Sequence, residues 1–517
     1  MEKRQILNIV NFVRGVEPRC YRDLLTPVKE QIRLMLHHRL RGTFLLQYDT
    51  LLDPDFTELF KNLDPAQFEL GVWHEIVQPQ VESCGIPWRG RYSWDWHTHC
   101  GFPVGYSRPD REKLVSALYE RFKEVFGYYP RVFGSWFFDS HTLRYIADRY
   151  GADAFCNCKE QYGTDGYTLW GGYYGQGYYP AKTNVFFPAQ SPENQISIPV
   201  FRMLGSDPVD QYDYQLDAQR QTLTPQGVIT LEPGDPHKKG GADPAWVDWF
   251  MAENYNGECL SFGYAQAGQE NSFSWELMKD GLVNQFALFE KLQASGKLSV
   301  EPLGETGRWY QAEYALTPPS VISAHSSFEG NKTSLWYSTR YYRINLYTKD
   351  GRLRIRDLHI FSDAHPDPYE NNVCTENYAV YDALPVIDGN RNTGKGILAG
   401  AYPVFEDRTC PQVSEMTFED TGGGTARVDY GGFSFELYET GFRLLSDRPF
   451  LLESPIGIPG DHLPEVEALS EREVRLRYKG TSYGVTVKQG RVREKCLCST
   501  ENAVELQVLT GTSCSEK

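Results

Sequence analysis

Up to about Tyr310, short apolar runs alternate with amphipathic stretches, the pattern of strand–helix units that build a parallel sheet. Residues 6–13, 43–46, 68–72 and 132–138 predict the first four strands. Residues 27–38 predict a helix in which Val28, Ile32, Leu34, Met35 and Leu36 supply the apolar side. The clearest helix spans 110–126, where Leu114, Ala117, Leu118, Phe122 and Val125 recur at helical spacing. A further helix over 142–150 stops at Gly151, and strands over 154–158, 228–231, 259–264 and 298–302 complete a set of eight.

Residues 161–213 break this rhythm with a stretch rich in Gly, Tyr, Pro and Asn. A long irregular insertion after a strand is where a barrel carries function. Beyond Thr317 the pattern becomes two-residue alternation, as in Leu353-Arg354-Ile355-Arg356 and Val474-Arg475-Leu476-Arg477-Tyr478, with turn signals such as Lys349-Asp350-Gly351 between runs. The expected fold is therefore α/β plus β: an N-terminal (β/α)8-type barrel over residues 1–316, then an antiparallel β-sandwich-like domain over 317–517. A chain of 517 residues is long enough for both.

Composition narrows the function. A formal net charge of −16 leaves no basic face for nucleic acid. No apolar run reaches membrane-spanning length and the first residues lack the order of a secretory signal, so a cytoplasmic location is expected. The 11 cysteines are scattered, and Cys156/Cys158 and Cys496/Cys498 are too closely spaced for a zinc pair, so free buried thiols are expected, with no metal and no cofactor. Aromatic residues make up 14% of the chain, with 33 Tyr and 11 Trp, a surplus suited to lining a sugar site.

Two stretches carry a resemblance. Asn11-Phe12-Val13-Arg14-Gly15 closes the first strand, and Glu69-Leu70-Gly71-Val72-Trp73-His74-Glu75-Ile76-Val77 covers the third. Their order and placement resemble the NodB-type polysaccharide deacetylases, whose first motif supplies two aspartates and whose second supplies two metal-binding histidines. Here Val13 and Arg14 stand at the acid positions and Trp73 and Val77 at the histidine positions. The resemblance thus implies that fold with its metal site dismantled. In length and in its barrel-plus-β plan the chain is also similar to glycoside hydrolase family 156, the inverting exo-sialidases, which implies a His acid and an Asp base. Arg14, and the lack of any acid before Glu17, depart from that pattern.

Inverting hydrolysis needs a proton donor at the leaving oxygen and a base that activates water across the ring. Asp139 and His141, after the fourth strand, are candidates for this pair, although Asp139 or Ser140 equally suits a helix cap. Ser93-Trp94-Asp95-Trp96-His97-Thr98-His99 offers Asp95 and His97 among sugar-stacking rings, or else a packed loop with buried Trp. Glu17 and Glu75 lie beside strand ends, Glu17 as a catalytic candidate and Glu75 on the substrate side, though either suits an ion pair with Arg14, Arg19 or Arg89. Trp73 joins Glu75 as a substrate-binding candidate. Arg14, Arg89 and Arg202 are candidates for a sugar carboxylate, unless each balances a local acid. The Gly163–Gly172 run reads as a binding loop carrying Asp165 and Trp170.

The leading expectation is a metal-independent, inverting exo-sialidase acting on a glycan with an acidic terminal sugar, with a homodimer left open. The alternatives are a divergent metal-dependent deacetylase built on His97 and His99, and a non-catalytic carbohydrate-binding barrel.

Overall fold

The computed structural model describes residues 3–18, 23–164, 166–202, 205–213, 229–234, 240–326, 331–493 and 496–511. Strands β1 (Gln5–Val13), β2 (Gly42–Leu46), β3 (Phe68–Trp73), β4 (Val132–Ser135) and β5 (Ala154–Asn157) lie side by side and parallel. β6 (Val200–Arg202) continues the sheet beyond β5, while β7 (Gly263–Ala267) and β8 (Ser299–Glu301) both run parallel to β1. The sheet curls: past β6, Gly205 donates its N–H to Gln266 O on β7 at 3.0 Å. Among the described residues the expected closed (β/α)8 barrel is thus a curled, mostly parallel sheet whose edges meet through this contact. Gly177–Tyr178 adds an antiparallel strand outside β6.

The near-continuous apolar runs of β1 and β2 are buried on both faces, as strands of a covered parallel sheet must be. Helix Arg108–Phe126 sets Leu114, Val115, Leu118, Tyr119 and Phe122 into the core. It begins earlier than its apolar spacing predicts, because Ser107 caps it and Pro109 fits its first turn; Gly127, at φ 86°, ends it. The fourth strand stops at Ser135 rather than 138, since Asp139 accepts Thr142 N at 2.9 Å and starts helix Ser140–Arg149. Of the strand expected at 228–231, residue 228 lies outside the described residues and Thr230 makes only an isolated bridge to Ser206.

Residues 320–388 form an antiparallel sheet of Ser320–His325, Lys332–Ser338, Tyr342–Lys349, Arg352–Ile360 and Leu384–Asp388. Separate four- and eight-stranded antiparallel sheets follow. The two parts of the chain interlock. Ala379–Tyr381 pairs in parallel with Tyr167–Leu169, so the later part of the chain adds a strand to the insertion of the earlier one. At Gly175, φ 94°, a Cβ would come within 1.9 Å of Ile322, so only glycine lets the insertion approach that closely.

A buried ion cluster fastens this junction. Arg343 donates from Nη1 and Nη2 to both carboxylate oxygens of Glu160, at 2.6 and 2.8 Å, and from Nη2 and Nε to Asp357, at 2.6 and 3.0 Å. Glu160 also accepts Gly171 N at 2.7 Å. The Arg343 and Asp357 side chains are fully buried, and removing one member strands the others in a low-dielectric interior. Arg343→Ala is expected to cost about 3–5 kcal/mol, measured by denaturant unfolding; a loss below about 1 kcal/mol, the range of an exposed pair, would contradict this account.

Candidate active site

Arg14 is the first residue past β1, and its guanidinium is shared across the carboxyl end of the curled sheet. Nε and Nη2 donate to Glu75 Oε2 and Oε1, both at 2.8 Å, while Nη1 lies 2.9 Å from Glu270 Oε2 and donates to Ser272 Oγ at 3.0 Å. Its Cζ stands 4.3 Å over the Trp94 ring. Burial opposes the charge, but Glu270 and Glu75 outweigh it and raise the arginine above its ordinary value. Asn271 clamps the backbone here: its Oδ1 accepts Arg14 N and its Nδ2 donates to Arg14 O, both at 2.9 Å.

Glu75, just past β3, is saturated. Besides Arg14 it accepts Trp136 Nε1 at 2.7 Å and Gln47 Nε2 at 3.4 Å. Glu270 accepts Ser272 Oγ at 2.6 Å on its other oxygen. Asp49, past β2, accepts Gly15 N at 3.1 Å and Thr50 N at 2.8 Å on Oδ1, whereas its buried Oδ2 has no partner among the described residues. Burial pushes this carboxyl up to about 6; the two backbone donors oppose the shift and Glu75 adds to it. A proton on this carboxyl is therefore held up to about pH 6, well above the ordinary aspartate range.

Aromatic rings wall the cluster. Trp73 stacks on Phe12 with centroids 4.4 Å apart, and Trp136 meets it edge-on at 5.3 Å. Outward from Arg14 run Trp94, Trp96 at 6.0 Å, and Tyr92 stacked on Trp96 at 5.9 Å; Trp94 is buried and Tyr92 exposed. His74, adjacent to Trp73, points the other way, since strand side chains alternate, and packs against Tyr119, Phe133 and Phe138. Burial alone drives it down to about 3, so it is a neutral core ring.

The structure therefore brings together Arg14, Glu75 and Trp73 of the residues singled out from sequence, with Glu17 close enough to Arg14 to add to its field. The others stand apart from that cluster. Asp139 caps its helix and pairs with buried Arg111 at 2.9 Å, and His141 Nε2 lies 3.0 Å from Glu112. Asp95 is gripped by Arg91, which donates from Nε and Nη2 at 2.9 and 2.8 Å; burial would raise Asp95, but that arginine holds it down at about 2. His97 is lowered by burial against the pull of Asp95, and its ring lies 5.8 Å from His99. Arg89 donates to Gly105 O at 2.7 Å and covers Tyr106. Trp170 donates to Asp388 Oδ2 at 2.8 Å in the junction, and Asp165 lies outside the described residues. Arg202, ending β6, lines a separate pocket.

Glu270, Ser272, Gln47 and Asp49 were not foreseen. A strand expected to stop at 264 leaves Glu270 in mid-loop, whereas β7 runs to Ala267 and delivers it to the mouth. Asp49 follows its strand by only a short step and was legible on that ground. No group of three or more His, Cys, Asp or Glu side chains is placed to hold a metal among the described residues, and no helix among them is long and apolar enough to cross a membrane.

No protein-family model and no curated protein matches the chain. Among solved structures, a candidate glycoside hydrolase/deacetylase from Parabacteroides distasonis superposes with a TM-score of 0.57 at 16% identity, over 74% of this chain and 90% of that one. A candidate polysaccharide deacetylase from Mycobacterium smegmatis (TM-score 0.36, 14% identity, 60% and 91% covered) and a GH57 branching enzyme from Thermococcus kodakaraensis (0.32, 10%, 61% and 72%) overlap too loosely to carry an argument. The chain has the fold of the Parabacteroides distasonis structure.

Proposed function

We propose that this protein is a glycoside hydrolase releasing a terminal acidic sugar, in its most specific form an inverting exo-sialidase that works without metal. The observation that carries the reading is the cluster at the sheet's carboxyl ends: Glu75 and Glu270 fixed on one buried Arg14, Asp49 biased toward its protonated form, and tryptophan rings around them. A held carboxylate beside a protonated one is the division of labour that glycoside hydrolysis needs. The Parabacteroides distasonis structure, described as a candidate glycoside hydrolase/deacetylase, lends the reaction class through its fold.

In this reading Asp49 passes its proton to the glycosidic oxygen as the bond to the anomeric carbon breaks, its electron pair leaving with that oxygen. Glu270 takes a proton from the water whose oxygen bonds to the same carbon. Arg14 Nη1 stands 2.9 Å from Glu270, and Glu75 orients Arg14. Glu17 stands beside this group, and Asp95 and His97 border the outer Trp96–Tyr92 platform, where the remainder of the glycan rests. Asp139 and His141, held by Arg111 and Glu112, serve the packing behind it.

Aryl sialosides and aryl glucuronides are the substrates to assay, with and without added zinc. Asp49→Asn and Glu270→Gln, checked for native folding by circular dichroism, are each expected to lower kcat by about 10²–10⁴-fold. Failure of the wild type to release any sugar would sink the hydrolase reading. Zinc-dependent acetate release from N-acetylated oligosaccharides would put a deacetylase in its place, and tight glycan binding without turnover a binding protein.

Asp49 sets the expected pH dependence. The acid form is required, so kcat should fall as pH rises through about 6. Because its folded value lies above its unfolded one, the folded state binds this proton more tightly. The carboxyl's contribution to stability is then fully present below about pH 3.9 and lost as pH rises through the folded value. Asp49→Asn should flatten both dependences, read by pH–rate profiles and by thermal unfolding across pH 4 to 7; an unchanged stability profile would show that the shift is not there.

A further inference from the structure

Beside the ends of β5 and β6, a small pocket of about 40 Å³ holds buried cations of a different kind. Lys159, two residues past β5, and Arg202, at the end of β6, both line it, at 3% and 6% exposure. Among the described residues, the Lys159 ammonium donates to the Glu160 carbonyl, at 3.1 Å. Arg202 donates from Nε to Cys158 O at 3.0 Å and from Nη1 to Gly171 O and Tyr173 O at 3.2 and 3.3 Å, while its buried Nη2 has no partner among the described residues. Neither cation has a carboxylate within ion-pair distance among those residues. The acid of this pocket, Glu160, has both oxygens committed to Arg343.

Other buried arginines are matched by carboxylates: Arg14 by Glu75 and Glu270, Arg343 by Glu160 and Asp357, Arg111 by Asp139. Burial lowers Lys159 to about 8 and depresses Arg202 as well, so both remain mainly charged at neutral pH. Holding cations there without counter-charges opposes folding, and an anion entering the pocket would relieve that cost. Ser206 and Gln266 add hydrogen-bonding groups to the lining, and Tyr174 and Tyr264 add ring surface.

We infer that the Lys159–Arg202 pocket is a subsite for an anionic oxygen group, a carboxylate or a sulfate ester, carried by the glycan. A point charge beside a guanidinium with a spare N–H suits either oxyanion. The link to a glycan rests on the hydrolase reading above; binding of the anion itself does not.

The test is calorimetry and thermal unfolding of the full-length protein with sodium sulfate, glucuronate, N-acetylneuraminate and, as the neutral control, glucose, at constant ionic strength. The wild type is expected to bind at least one of the anions and to melt at higher temperature in its presence, with no response to glucose. Carboxylate sugars and sulfate separate the two sources of negative charge. Lys159→Met should weaken anion binding at least tenfold while leaving the anion-free melting temperature equal or higher, because it removes an unmatched buried charge. Arg202→Lys keeps a charge but loses the fork, and should also weaken binding. No anion response in the wild type, or an affinity unchanged in both variants, overturns the inference. Hydrolysis of neutral glycosides alone, without anion binding, overturns the subsite and leaves the hydrolase reading standing. Anion binding abolished by the variants, in a protein that cleaves no glycoside, supports the subsite and removes the hydrolase.

Discussion

The candidate site depends on one guanidinium. Arg14 sits where β1 runs out, and it satisfies carboxylates delivered by β3 and by the loop after β7. Those strands are far apart in sequence, yet β1 lies in register with β7 on one side and with β2, the neighbour of β3, on the other. Without the arginine, Glu75 and Glu270 would be buried acids with no cation between them. With it, Glu75 and Glu270 share one positive partner, and Asp49 stands apart as the carboxyl that burial pushes up. The geometry of this cluster thus follows from where a single positive charge is placed.

That placement also accounts for the altered motifs. Arg14 stands where the deacetylase resemblance expects an acid, and Trp73 where it expects a histidine. The substitutions are mutually consistent: the arginine brings its own counter-ion, Glu75, from the strand that would have offered imidazoles, and Trp73 fills the space behind it against Phe12 and Trp136.

The helix at 110–126 and the first five strands were legible because their apolar spacing is strong and local. β6 was not: Val200-Phe201-Arg202 is too short to register as a pattern, and it becomes a strand because β5 lies open beside it. The same limit governed the site. Arg14, Glu75 and Trp73 could be picked out because they follow well-marked strands. What each arginine does was not readable, because Arg14, Arg89 and Arg202 are alike in sequence. One is locked between carboxylates, one is spent on a carbonyl and a tyrosine ring, and one keeps an N–H unpartnered among the described residues. Only the tertiary arrangement of acids and carbonyls separates them.

Beyond individual residues, the mouth is divided by charge. On the β1–β3 side Arg14 is outnumbered by Glu75, Glu270 and the nearby Glu17, while on the β5–β6 side Lys159 and Arg202 exceed what Glu160 can offer, since Arg343 has claimed it. The division is maintained by the junction: the later part of the chain supplies Arg343, which binds both oxygens of Glu160 and leaves Lys159 and Arg202 without an ion pair among the described residues. In a chain whose formal net charge is −16, a retained positive pocket beside an acidic one is a local arrangement that general surface charge does not supply. The antiparallel sheet that packs on the mouth is therefore part of the site's electrostatics as well as its support.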